Sequence, residues 1–146
     1  MVAIAGRTAL PNAKRVVVKV GSALLVDEDK NTINKAWLAG IASDISRLKA
    51  KGKDLVVVSS GAIALGSRLL KVHDKMLSLQ EKQAAAATGQ VTLAHAWMEA
   101  LGAHKVQAAQ ILLSPDDTET RRKHLNARAT IGALLDLGAI PVVNEN

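Results

Sequence analysis

The sequence predicts an α/β sandwich built on a mainly parallel sheet. Its 146 residues are 49% hydrophobic, which is enough to bury the core of one ordinary domain. Apart from two tryptophans and three methionines, the apolar residues are Ala, Val, Leu and Ile, a composition that favours helices packed on a β-branched sheet. Short β-branched runs alternate along the chain with longer segments of helical periodicity, the order typical of parallel α/β folds.

The first strand, helix and second strand form a predicted βαβ unit. The three consecutive valines Val16–Val18 are typical of a strand that is buried on both faces, although Lys19 interrupts the run before Val20. A helix with Asn34 as its N-cap ends at Lys51-Gly52, and the apolar run Leu55–Val58 follows. Such a unit is right-handed and makes its two strands parallel, so both strand ends lie at the same edge of the sheet.

The rest of the chain continues the alternation without a repeat or a linker. The predicted elements, in order, are a helix at Ile63–Leu70, a loop at Val72–Met76, a helix at Ser78–Leu101, a strand at Val106–Leu113, a turn or helix start at Ser114–Asp117, a helix at Arg121–Leu137 and a strand at Ile140–Val143. Within the long helix, Gly89-Gln90 indicates either a break or a point of close packing. Residues 1–13 are predicted to be an N-terminal tail, and residues 14–146 a domain.

Composition and charge disfavour several classes of protein. The chain has no cysteine, so we expect neither disulfides nor thiolate metal sites. The apolar patch Val2–Ala5 is too short for a signal peptide and no run approaches a membrane span, so we expect a cytoplasmic protein without a membrane partner. The net charge of +6 is spread over helix faces, and its densest run, Arg121–Lys123, lacks aromatic neighbours for base stacking. We therefore expect no nucleic-acid partner.

Three strand ends carry polar groups suited to a small anion. They are Lys19–Ser22, Ser59–Ala62 and Asn144–Asn146, which together offer one cation, two glycine-bearing turns and a carboxylate between two amides. A lysine and aligned backbone N–H groups can position and neutralise a transferring phosphoryl group without a covalent nucleophile. Purely structural roles for these residues stay open at this point. Lys19 could be a solvated lysine on an edge strand, and Ser59 and Ser60 could simply cap the next helix.

The standard signatures of other site types are absent from the sequence. No phosphate-binding P-loop and no dinucleotide-binding G-x-G-x-x-G occurs, and the hydrolase elbow G-x-S-x-G fails because position 58 is valine. The four histidines show no ligand spacing, so we expect no protein-held metal.

Six motifs together resemble the glutamate-phosphorylating members of the amino-acid kinase family. They are found at Val17–Ser22, Val57–Ile63, Ala86–Gln90, Gln110–Leu113, Leu125–Arg128 and Pro141–Asn146. The first is shared widely in the family, whereas the combination of S-S-G-A-I, L-N-A-R and V-N-E-N is much more specific. The resemblance implies a three-layer α/β/α sandwich and ATP-dependent phosphorylation of the γ-carboxylate of L-glutamate, the first step of proline biosynthesis.

The resemblance also implies roles for individual residues. Lys19 would be catalytic and face the transferring phosphoryl group of ATP, which enters with Mg²⁺, while Gly21 and Ser22 would meet the ATP phosphates. Ser60, Gly61 and Ala62 would lie at the glutamate site. Asn144 would also contact glutamate.

The resemblance further implies that residues 14–146 are the N-terminal, glutamate-binding half of a kinase domain. The family's acidic loop and nucleotide-binding half have no counterpart in this sequence, so we expect these 146 residues alone to be inactive. The family also implies a homo-oligomer and feedback inhibition by proline. Other members of the family, acting on acetylglutamate, aspartate or carbamate, and a non-catalytic α/β ligand-binding or interaction module are the alternatives.

Overall fold

A four-stranded parallel sheet forms the centre of the protein. The structure, a computed structural model, describes residues 9–27, 29–114, 117 and 119–145. The sheet strands are β1 (Arg15–Val20), β4 (Asp54–Ser59), β5 (Ala108–Leu113) and β6 (Ile140–Glu145), in the spatial order β1-β4-β6-β5. A short antiparallel hairpin is made by β2 (Val26–Asp27) and β3 (Thr32–Ile33).

Helices cover both faces of this sheet. They are α1 (Ala9–Asn12), α2 (Ser22–Leu25), α3 (Lys35–Ala50), α4 (Ala62–Leu69), α5 (Leu79–Gly102) and α6 (Arg121–Asp136). The larger hydrophobic cluster packs α3, α4 and α5 on one face, with Trp97 and Leu101 fully buried. A smaller cluster around Val56, Leu135 and Val143 packs α6 on the other face. The predicted α/β/α sandwich with a parallel sheet is confirmed.

The strand register aligns the predicted polar strand ends in one row. Val20 lies opposite Ser59, and Leu112 lies opposite Asn144. Because Val58 lies opposite Val143, Ser59 and Asn144 are level on neighbouring strands. The expectation that these ends share one edge of the sheet is therefore confirmed.

The helix boundaries follow the local signals closely. Asn34 accepts a hydrogen bond from the Trp37 backbone N–H and so caps α3, while Gly52 follows that helix with a φ of 80°. Ser78 caps α5 in a reciprocal capping box with Glu81. Both helix starts agree within one residue with those that the sequence predicts.

Several expectations need correction. β1 is an edge strand rather than one buried on both faces, and Val17, which points away from the larger hydrophobic cluster, is 59% exposed. The long helix α5 is unbroken at Gly89, so of the two alternatives the close-packing one is right. Strand β6 extends through Asn144 to Glu145, because both residues pair with β5.

Some elements were not predicted from the sequence. The short helix α1 falls in the expected N-terminal tail, and α2 with the β2–β3 hairpin occupies the connection before α3. Residues 1–8 of that tail and residues 115–116 of the predicted turn lie outside the described residues.

Candidate functional site

An open cavity of about 590 Å³ lies at the carboxyl edge of the sheet. Its lining residues come from the ends of three strands and from the helices above them: Ser22, Ser60, Gly61, Ala62, Ile63, Ala64, Ala86 and Asn144. Five of the seven residues predicted to form the site therefore line one cavity. The two that do not line it are Lys19 and Gly21.

Gly61 makes the turn between β4 and α4. Its φ of 111° lies in the left-handed region that favours glycine, and a Cβ at this position would lie 3.2 Å from the Cβ of Ser22. The glycine therefore lets the second strand end approach the first. No side chain among the described residues caps α4, so the N–H groups of its first turn are oriented as donors beside the cavity.

The two serines before this turn have different partners. The Ser60 hydroxyl and its backbone N–H both donate to the Val20 carbonyl oxygen, at 3.2 Å and 3.1 Å, which ties the end of β4 to the end of β1. The Ser59 hydroxyl is buried and accepts a 3.0 Å hydrogen bond from the Trp97 indole N–H. Neither serine caps α4, so the capping alternative for them is wrong.

Lys19 lies next to the cavity but leaves β1 on the other face. It alternates with Val18 and Val20, which pack into the larger hydrophobic cluster, so its side chain points to the α6 side of the sheet. It is exposed, and within the described part of the chain it makes no ion pair. Lys19 is thus an exposed cation beside the cavity. Its place on an edge strand also agrees with the alternative that it is simply a solvated lysine.

Asn144 is the most buried polar group of the cavity lining. Only 7% of its surface is exposed, and its carboxamide nitrogen Nδ2 donates to the Oε1 of Gln90 on α5. Asn144 also lines a second, much smaller cavity of about 10 Å³, together with Ser59, Gln90 and Trp97. Two side chains of α5, Gln90 and Trp97, therefore hydrogen-bond to polar residues at this edge of the sheet.

Gln90 and Trp97 were missed as residues that support the site. In the sequence, Gln90 follows a helical glycine and ends the motif Ala86–Gln90, but Gly89-Gln90 indicates only a break or close packing of the helix. Trp97 carries no signal beyond a tryptophan on a helix. Ile63 and Ala86, which line the cavity, lie within two of the family motifs, but apolar side chains give no chemical signature that would assign them to the site.

The β2–β3 hairpin packs beside the two glycine-bearing turns. Val26 of this hairpin would lie 3.8 Å from a Cβ at Gly61, and the Arg68 guanidinium donates to the Asn31 side chain at 3.1 Å, which joins the hairpin to α4. A hydrogen bond from the Lys30 backbone N–H lowers the pKa of Asp27 and so keeps this carboxylate ionised.

Metal-ligand clusters and membrane-spanning helices are both absent from the described residues. No group of three His, Cys, Asp or Glu side chains among them could hold a metal ion. None of the helices formed by these residues is long and apolar enough to cross a membrane.

Comparison with known proteins relates this chain to one family of kinases. Residues 14–146 match the Amino acid kinase family. The chain is 56% identical over 137 residues to a glutamate 5-kinase of Bradyrhizobium diazoefficiens, covering 94% of this chain and 37% of that protein. It is 50% identical over all 146 residues to a glutamate 5-kinase of Gluconobacter oxydans, of which it covers 39%. The chain thus spans little more than a third of the length of these relatives.

The fold also resembles that of a solved structure. The match to an isopentenyl phosphate kinase has a TM-score of 0.59 at 17% sequence identity and covers 89% of this chain and 56% of that one. At this identity the likeness concerns the fold alone.

Proposed function

Because this chain belongs to the amino acid kinase family, we propose that its edge cavity binds L-glutamate for ATP-dependent phosphorylation of the γ-carboxylate. In this reaction a γ-carboxylate oxygen attacks the terminal phosphorus of ATP. The new O–P bond gives L-glutamyl 5-phosphate, and the bond that breaks releases ADP. This is the activity named for its relatives of 50% to 56% identity.

One observation carries the proposal. Ser60, Gly61 and Ala62 follow the end of β4, whereas Asn144 lies in β6, yet these residues from distant parts of the sequence line the same cavity. Their hydroxyl, N–H and carboxamide groups match an amino acid, which presents a carboxylate and an ammonium to be recognised. We propose that these four residues bind glutamate.

A phosphoryl group would be handled at the β1 end of the same edge. We propose that Lys19 neutralises charge on the transferring group, and that the Gly21-Ser22 turn meets the ATP phosphates, since Ser22 reaches the cavity wall. The described residues supply no acidic cluster for a metal, so Mg²⁺ would enter with the nucleotide phosphates. Such an enzyme would work in the cytoplasm.

We further propose that residues 14–146 supply the glutamate-binding half of the kinase domain. This agrees with a match that covers 37% to 39% of the relatives. The family resemblance also supports a homo-oligomer and feedback inhibition by proline. Light scattering and a proline titration of the purified enzyme test these two properties.

Replacement of Lys19 tests whether the chain belongs to a kinase. In the complete protein in which this sequence occurs, Lys19→Ala should lower glutamate-dependent ADP formation by about 100-fold or more, with unchanged folding by circular dichroism. The matched control is Lys82→Ala, which removes an exposed lysine on α5. Full activity in Lys19→Ala would show that the role assigned to Lys19 is wrong. A parent protein that forms no ADP from ATP and glutamate would instead favour a non-catalytic ligand-binding module.

A substrate panel separates the members of the family. L-glutamate, L-aspartate, N-acetyl-L-glutamate and carbamate are compared at equal concentration by ADP release. We expect turnover with L-glutamate to exceed the others, because Asn144 and the Gly61 turn would recognise a free amino acid. Preferred turnover of N-acetyl-L-glutamate would contradict the assignment.

A further inference from the structure

Gln90 is a polar residue held between a helix crossing and the candidate site. The preceding residue, Gly89, contacts α4 so closely that a Cβ there would lie 1.9 Å from the Ala62 carbonyl oxygen. This contact brings the middle of α5 onto the carboxyl edge of the sheet. Gln90 is consequently half-buried beside β6 and lines the small internal cavity.

The Gln90 side chain reaches a residue 54 positions away in the sequence. Its Oε1 accepts a hydrogen bond from the Nδ2 of Asn144. A carboxamide is planar, so this bond sets the direction of the other N–H and of the carbonyl oxygen of Asn144. Gln90 therefore determines how Asn144 is presented to the cavity.

The remaining groups of the Asn144 side chain are available to a ligand. Within the described part of the chain, the carboxamide makes no hydrogen bond other than that to Gln90. Asn144 lines the open cavity as well as the small one, so the groups of its side chain that Gln90 does not hold are within reach of a ligand in the candidate site.

We infer that Gln90 is a positioning residue that orients the Asn144 carboxamide toward the amino-acid substrate, an inference that rests on the proposed function. Gln90 holds one N–H of Asn144 from behind. The free Oδ1 then serves as an acceptor for the substrate ammonium, and the free N–H serves as a donor to a carboxylate. Without Gln90 the carboxamide can rotate, and its buried N–H loses its partner.

The test compares two replacements of Gln90 in the complete protein in which this sequence occurs. Gln90→Met keeps the length of the side chain but removes the acceptor, and should raise the KM for glutamate about fivefold to tenfold while leaving the KM for ATP unchanged. Gln90→Glu retains an acceptor oxygen for the Asn144 N–H and should recover most of the lost affinity. Gln83→Met, an exposed position on the same helix, is the control that should change neither constant.

A double-mutant cycle separates positioning from simple packing. In an Asn144→Ala background there is no carboxamide to orient, so Gln90→Met should cause no further change in the KM for glutamate. Additive effects of the two substitutions would overturn the inference. An unchanged KM in Gln90→Met would overturn it as well.

A measurement without substrate keeps this inference distinguishable from the proposed function. The side-chain amide signals of Asn144, identified in ¹H–¹⁵N spectra by their loss in Asn144→Ala, should show slower proton exchange in the parent than in Gln90→Met. If the parent does not phosphorylate glutamate, the proposed function fails and this comparison decides the positioning role. Equal exchange in the two proteins would refute it.

Discussion

At the scale of single residues, the site depends on hydrogen bonds that cross between elements. The Trp97 indole N–H donates to the buried Ser59 hydroxyl at 3.0 Å, and Ser60 donates to the Val20 carbonyl oxygen at 3.2 Å. Consecutive serines thus anchor the end of β4 to α5 on one side and to β1 on the other. A buried donor or acceptor that loses its partner is costly, so these pairs constrain the turn at Gly61.

Removal of the Ser59 hydroxyl should show how much the Trp97–Ser59 hydrogen bond contributes to stability. Ser59→Ala leaves the Trp97 indole N–H buried without an acceptor and should lower the free energy of unfolding by about 1–3 kcal/mol. Chemical denaturation followed by circular dichroism measures the change. Ser43→Ala on α3, where the described structure shows no hydrogen bond from the hydroxyl, should stay within about 0.5 kcal/mol of the parent. Equal effects of the two substitutions would contradict the role of the Trp97–Ser59 bond.

A second residue-scale effect concerns pH. A hydrogen bond from the Lys75 ammonium, followed by hydrogen bonds from Ser78, lowers the pKa of Glu81 from 4.5 to about 2. Because the folded-state pKa is the lower one, the stabilisation by this carboxylate is fully present above pH 4.5 and is lost as the pH falls toward 2. The group is exposed, so solvent screening keeps the effect small.

The Glu81→Gln variant tests whether the stabilisation by the Glu81 carboxylate decreases as the pH falls. Its melting temperature should lie below that of the parent at pH 7, and the difference should shrink as the pH falls from 4.5 toward 2. Glu99→Gln, on the same helix, removes a looser 3.7 Å ion pair with Lys35 and should shift the melting temperature less. A difference between parent and Glu81→Gln that grows on acidification would show that the sign is wrong.

At the scale of elements, the crossing of α4 and α5 positions the candidate site. A Cβ at Gly66 would lie 1.7 Å from the Ala85 carbonyl oxygen, and one at Gly89 would lie 1.9 Å from the Ala62 carbonyl oxygen. Both obstacles are helix backbone, which cannot move aside as a flexible side chain can. The two glycines therefore allow the contact that brings the Gly61 turn and Gln90 to one place.

Gly66→Ala should separate the two helices. We expect a loss of about 1–3 kcal/mol in the free energy of unfolding, or more, because overpacked helices must shift their backbones. Gly40→Ala in α3 is the matched control. A Cβ at Gly40 meets no atom within 4 Å, so this change should stabilise the protein by up to about 1 kcal/mol through helix propensity. A neutral Gly66→Ala would show that the crossing is looser than described.

At the scale of the whole molecule, the two faces of the sheet are covered unequally. The larger hydrophobic cluster, with α3, α4 and α5, lies on one face, whereas α6 and the smaller cluster lie on the other. Strand β1 is consequently half-exposed on the α6 side, where Val17 and Lys19 face outward. Most of the stabilising apolar burial therefore comes from the face that carries α3, α4 and α5.

Truncation of a leucine on this face should change the free energy of unfolding far more than truncation of an exposed leucine. Leu101→Ala removes a fully buried side chain from the larger cluster and should cost about 2–5 kcal/mol in the free energy of unfolding. Leu137→Ala removes a side chain that is 83% exposed and should change stability by less than about 0.5 kcal/mol. The urea denaturation midpoints of the two variants measure the difference. Similar midpoints would contradict the conclusion that most of the stabilising apolar burial lies on the face that carries α3, α4 and α5.

The sequence by itself determined the four sheet strands, the long helices and the edge of the sheet at which the polar strand ends lie. Hydrophobic periodicity and capping residues such as Asn34 and Ser78 are local signals. Right-handed crossovers make successive strands parallel, so the ends near Lys19, Ser60 and Asn144 had to share one side of the sheet. That much follows from residues close together in the chain.

Only the tertiary structure decided which of these groups meet. The order β1-β4-β6-β5 places β6 between β4 and β5, so Asn144 lies beside Ser59, and it leaves β1 at the edge with Lys19 outside the cavity. The Gln90–Asn144 hydrogen bond depends on how closely α5 crosses α4. Strand order and helix separation result from the packing of the whole core, and the spacing of residues along the chain does not encode them.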